Sequence, residues 1–212
     1  MNIGFRAAAA GCVLATVTFA GAAYPPDGGI TPQGQLLAQE LDGMGVETKW
    51  VAGVHINWET GLPDGRAETL PGRHTHCSAF VASAAKKLGV YILRPPQHGQ
   101  VLLANAQNEW LADEGRAEGW RPLGGATEAQ AAANRGLLVV ASYHNRRDNK
   151  PGHIAIVRPG NKSAQQIAME GPDVIQAGTV NSASISIKAG FSGHAAAWNN
   201  NEIEYYSHEI KF

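Results

Sequence analysis

The sequence predicts an α+β fold in which N-terminal helices pack on an antiparallel β-sheet. Two observations predict it. Up to about residue 135, apolar side chains recur at spacings of three and four, as on one face of a helix. Beyond it, short apolar or alternating runs follow one another between Gly, Pro and Asn, the pattern of a strand meander.

Taken in order, Thr31-Pro32 caps a first helix that carries Leu36, Leu37 and Leu41 and stops at Gly43 or Gly45. Between Lys49 and Trp58 the alternation of Trp50, Val54, Ile56 and Trp58 predicts extended chain, turned by Gly61-Leu62-Pro63-Asp64-Gly65. Thr75 is the expected N-cap of the next helix, which places Cys77, Val81, Ala84 and Leu88 on one stripe and ends at Gly89. Helices are also expected near Asn105–Glu114 and Glu128–Asn134, inside a segment, Tyr91 to Gly136, that reads as an insertion shaping or covering a substrate groove. Strands are expected at Leu137–Ala141, from His153 to Val157, and at Gln166–Glu170, Asp173–Ala177, Ser184–Lys188 and Glu202–Ile210. Trp58, Trp110, Trp120 and Trp198 read as core residues.

The N-terminus carries an export signal. Arg6 precedes an apolar stretch from Ala7 to Phe19, and Ala20-Gly21-Ala22-Ala23 fits a small-x-small cleavage site. The stretch is shorter than the roughly 20 residues a membrane span needs. Residues 1–23 are therefore read as a signal peptide and residues 24–212 as one domain of a periplasmic or secreted protein, with no membrane anchor after cleavage. With a net charge of −1 and a pI near 6.7, the chain has no basic field for nucleic acid, and Arg146-Arg147 with Lys150 reads as a solvated loop.

Of the two cysteines, Cys12 leaves with the signal, so the mature chain keeps Cys77 alone. An unpaired thiol in an oxidising compartment calls for a reason. In the first turn of a helix, unpaired N–H groups and the helix dipole favour thiolate, and the helix end stays open to substrate. A nearby imidazole has to activate the thiol and then protonate the leaving amine, and His153 at the head of its strand is the candidate.

Cys77-Ser78-x-Phe80-Val81 opening a helix, then Gly152-His153-Ile154-Ala155-Ile156-Val157 opening a strand, then Val174-Ile175-Gln176-Ala177-Gly178, resembles the NlpC-like peptidoglycan hydrolases of the papain-like cysteine peptidase superfamily. The pattern spans roughly residues 73 to 180. It departs from the family at His76, where an acidic residue is common, and at Ala79, where glycine is. The resemblance implies a papain-like fold, Cys77 as nucleophile, His153 as base, and the residue matching the third position, Gln176, as the group that orients the imidazole. A side-chain amide oxygen suits that role, and Asn181 is its competitor. The oxyanion of the tetrahedral intermediate would be held by the backbone N–H of Cys77 or Ser78 and by a side chain, His76 being the candidate. The implied substrate is a peptide amide, in peptidoglycan stem peptides, with no cofactor.

Two other classes of function compete. His74, His76 and Cys77 lie close enough in sequence to suggest a zinc-binding exported protein, although their spacing is no known finger. A non-catalytic cell-wall binding module of the same fold is the other.

Overall fold

In the computed structural model, Met1 and residues 29–68, 74–147 and 149–212 are described. Apart from Met1, the expected signal peptide lies outside the described residues. Those residues form an α+β structure whose centre is one six-stranded sheet: β1 (Arg121–Leu123), β2 (Leu138–Tyr143), β3 (His153–Val157), β4 (Asp173–Ala177), β5 (Asn181–Ser186) and β6 (Glu204–His208). The strand order is β1-β6-β2-β3-β4-β5 and every neighbouring pair is antiparallel. Strands β2 to β5 run as a meander. The last strand then returns to the far side of β2, pairing Val140 with Tyr206, and β1 closes that edge with Pro122, a residue that only an edge strand or a bulge tolerates.

Helices cover both faces. On one lie α1 (Pro32–Asp42), α2 (Cys77–Lys87) and α3 (Leu103–Ala112), whose Leu37, Phe80, Val81 and Leu111 pack with Leu138, Val140, Ile154, Ile156 and Ile175. On the other, α4 (Ala126–Asn134) packs Ala129, Ala132 and Ala133 with Val139, Ala141, Ala155, Val157 and Val174. This second layer also includes the short helices α6 (Ile187–Gly190) and α7 (Ala195–Asn199), with α5 (Ala164–Glu170) beside them. Because β2 and β3 are buried on both faces, their sequences read as unbroken apolar runs instead of alternating.

Several local expectations are corrected. Lys49 to Trp58 is a turn-rich loop whose contact with strand geometry is the single bridge from Ile56 to Pro63. Its periodicity came from two side chains folded into the core, Trp50 and Ile56; Trp50, with φ of 52°, donates its backbone N–H to Gly61 and its indole N–H to Trp58, and its ring meets Phe80 edge-on at 5.1 Å. Gln166–Glu170 is helical because Ser163 and Gln166 form a reciprocal capping box, which a single apolar Ile167 does not oppose. The strand placed at Ser184–Lys188 begins earlier, at Asn181, and ends where the Ser186 hydroxyl caps α6. The segment 91–136 supplies α3, α4 and the edge strand β1, so it belongs to both helical layers and to the sheet.

Candidate active site

Cys77 is the first residue of α2, and the N-cap is His76, not Thr75. The Thr75 hydroxyl is turned to the Cys77 thiol, and the backbone N–H groups of Ile154 and Ser78 also point at it. Those donors favour thiolate. Burial outweighs them and pushes the thiol up from its ordinary value. The expected dipole effect is thus present but subordinate, and the resting group is a neutral thiol. Nor does Cys77 sit on a single apolar stripe, since α2 is buried on every side from Cys77 through Ala85.

His153 stands at the start of β3, 5% exposed, and its Nε2 lies 2.8 Å from Gln176 Oε1. The direction of that bond is fixed by the other end of the amide. Gln176 Nε2 donates to the Val180 carbonyl at 3.1 Å, so its Oε1 faces the ring and Nε2 of His153 must carry the proton. Nδ1 is left with a lone pair, the form a general base needs. Burial holds His153 below the ordinary histidine range despite the Gln176 bond, so the imidazole also rests neutral. Two glycines leave room for this pair. A Cβ at Gly178 would stand 3.3 Å from His153 Cε1, and one at Gly190 would stand 2.8 Å from Gln176 Oε1.

Strand alternation gives His153 and Gln176 the face of Ala155, Val157 and Val174, whereas α2 covers the face of Ile154 and Ile156. The thiol reaches β3 at its open end, where pairing with β4 begins only at Ile156 and Ile175. Thiol and imidazole therefore flank the start of one strand. Each opens on a cavity. One, of about 650 Å³, has Cys77, Ser78, His76, His74 and residues 100–104 on its walls; the other, of about 330 Å³, has His153 and Gln176. Thr75, Thr179, Gly193 and His194 line both.

His194 is the residue that sequence reasoning missed. Its ring stacks on that of His153, with centroids 6.1 Å apart and planes at 22°, while Phe191 meets His153 edge-on at 4.6 Å. Only its residue type signalled it. It lies in a stretch, 187–199, of very short helices with no periodicity to place it.

The other expected site residues fall as follows. Ser78 lines the Cys77 cavity, and its carbonyl accepts from Gln107 Nε2 of α3 at 3.2 Å. His76 donates through Nε2 to the Val54 carbonyl at 2.9 Å. Burial keeps that ring neutral, so Nδ1 has no proton to offer, and His76 is ill suited to hold an oxyanion. Asn181 is occupied elsewhere, its amide N–H groups reaching the carbonyls of Val46, Lys49 and Trp50 at 2.7 to 3.3 Å. It ties down the loop after α1, and the imidazole partner is Gln176. Among the described residues no group of three or more His, Cys, Asp or Glu is arranged to hold a metal ion, so His74, His76 and Cys77 do not converge as the zinc reading needs. Set against protein-family models and curated proteins, the chain matches none.

Proposed function

We propose that the protein is an exported thiol hydrolase with an NlpC-like, papain-like arrangement, cleaving an amide bond in peptidoglycan stem peptides. The observation that carries this reading is the buried His153–Gln176 hydrogen bond, whose polarity, set by Val180, leaves His153 Nδ1 as the basic nitrogen. A surface histidine has no need of an oriented amide behind it. Cys77 at the head of a helix on an antiparallel sheet, beside the strand that His153 opens, supports the same reading.

In this reaction the Cys77 sulfur attacks the amide carbonyl carbon and its proton passes to His153, which requires the thiol and the imidazole, set on opposite faces of β3 and in neighbouring cavities, to come within hydrogen-bond reach. The backbone N–H of Ser78 or Cys77 stabilises the oxyanion. The C–N bond then breaks, His153 gives its proton to the departing amine, and a thioester remains on Cys77. Water, deprotonated by the same imidazole, releases the acid and restores the thiol. The imidazolium is transient, and Gln176 Oε1 holds the Nε2 proton throughout.

The test is mass spectrometry of isolated sacculi incubated with the protein and with Cys77→Ala. The expected result is new muropeptides carrying a fresh carboxyl and amine, reduced about a thousandfold or more by the substitution. No new muropeptides with either protein would instead favour a binding module, and equal release by both would remove Cys77 as nucleophile.

A further inference from the structure

We infer that His194 is a positioning residue of this site: its ring stacks beside that of His153, where it lines both the Cys77 cavity and the His153 cavity, and it keeps that imidazole in the plane set by Gln176. This deepens the hydrolase reading and rests on it for its kinetic arm only.

Three observations carry the inference. The first is geometric: His153 is held at its Nε2 edge by the Gln176 hydrogen bond, met edge-on by Phe191 at 4.6 Å and stacked by His194 at 6.1 Å and 22°, so two further rings bound the imidazole that the amide orients. The second is topographic. His194 lines the cavity of Cys77 and the cavity of His153, together with Thr75, Thr179 and Gly193, and is the one aromatic side chain common to both. The third is electrostatic: burial and the neighbouring His153 both hold His194 below its ordinary range, so a proton arriving on His153 keeps His194 neutral. The ring that stacks on the base therefore does not compete for the proton drawn from the thiol. Around His194 stand the Tyr143 ring at 5.4 Å and, on the walls of the larger cavity, Thr75, Thr179, Cys77, the histidines His55, His74 and His76, and the carboxylate of Glu68.

The experiment is NMR titration of the His153 imidazole in the full protein, His194→Ala and His194→Phe, read beside the pH dependence of Cys77 alkylation by iodoacetamide and, on sacculi, the kcat and KM of release. In His194→Ala, His153 is expected to titrate closer to the ordinary histidine value and to lose its single orientation, and kcat to fall about tenfold or more with KM within about twofold. His194→Phe restores the cover, so it is expected to return His153 to its low titration range and kcat to within about threefold of the parent. An unchanged His153 titration in His194→Ala would overturn the inference, as would a His194→Phe protein indistinguishable from His194→Ala. Should the parent protein release nothing from sacculi, the hydrolase reading fails by itself, and the titration still decides the role of His194.

Discussion

At the scale of single residues, the thiol of Cys77 and the imidazole of His153 both rest neutral. Burial raises the thiol of Cys77 and lowers the imidazole of His153, so neither charges readily. Alkylation of Cys77 is therefore expected to be slow at neutral pH and to keep rising beyond the ordinary thiol range, measured as the iodoacetamide rate against pH. A plateau already reached below pH 7 would instead mark a standing thiolate–imidazolium pair. The same shifts act on stability. The unfolded chain binds the extra proton on histidine once pH falls below about 6.5 and releases the thiol proton above about 8.5. Stability contributed by His153 is thus lost on the acid side, and that of Cys77 on the alkaline side. The melting temperature is expected to peak between these limits, with the alkaline fall reduced in Cys77→Ala. What the sequence disclosed at this scale was residue type and order: Cys77, His153 and Gln176 each stand at the head of an element or inside a short strand, where local pattern speaks clearly. His194 and the real duty of Asn181 were hidden, because both depend on contacts across more than 40 residues of chain.

At the scale of elements, strong local signals were readable and weak ones were not. Thr31-Pro32 and the Leu37, Leu41 pair suffice to define α1, and Gly89, with φ of 73°, marks the end of α2. By contrast the alternation at Trp50 to Trp58 describes a loop in which Trp50 and Ile56 are buried while Val54 is exposed, so the two-residue period recorded burial that no strand imposes. The loop is held by Asn181 from β5. Asn181→Ala removes the donor to three carbonyls and is expected to destabilise the protein by about 1–3 kcal/mol in urea unfolding. His153 and Gln176 do not touch that loop, so the His153 titration should stay as in the parent. A large change there would mean that the loop is coupled to the imidazole.

At the scale of the whole molecule, the segment 91–136 is a structural member on which the site depends. Asn105 of α3 accepts the Asn145 N–H through Oδ1 at 3.1 Å and donates through Nδ2 to the Lys150 carbonyl at 3.0 Å, holding both ends of the loop that leads into His153. Gln107, two residues on, holds Ser78 beside the thiol and the Leu93 carbonyl. Asn105→Ala is expected to broaden the His153 imidazole resonances and to slow turnover about tenfold with the sheet intact, which circular dichroism and the NMR spectrum together would verify. Unbroadened resonances would show that β3 is fixed by the sheet alone. None of this was visible in sequence, because α3 lies in a region with no counterpart in the nucleophile and base motifs.

The amide of Gln176 has one more consequence. Its oxygen serves the imidazole only because its nitrogen is engaged by the Val180 carbonyl, on the turn between β4 and β5. A glutamate there would keep an acceptor for the ring but set a second acceptor against that carbonyl, and an added negative charge would favour the imidazolium. In the proposed hydrolase, the choice of amide over carboxylate would therefore give a base that lets go of its proton easily, suited to passing it on to a departing amine.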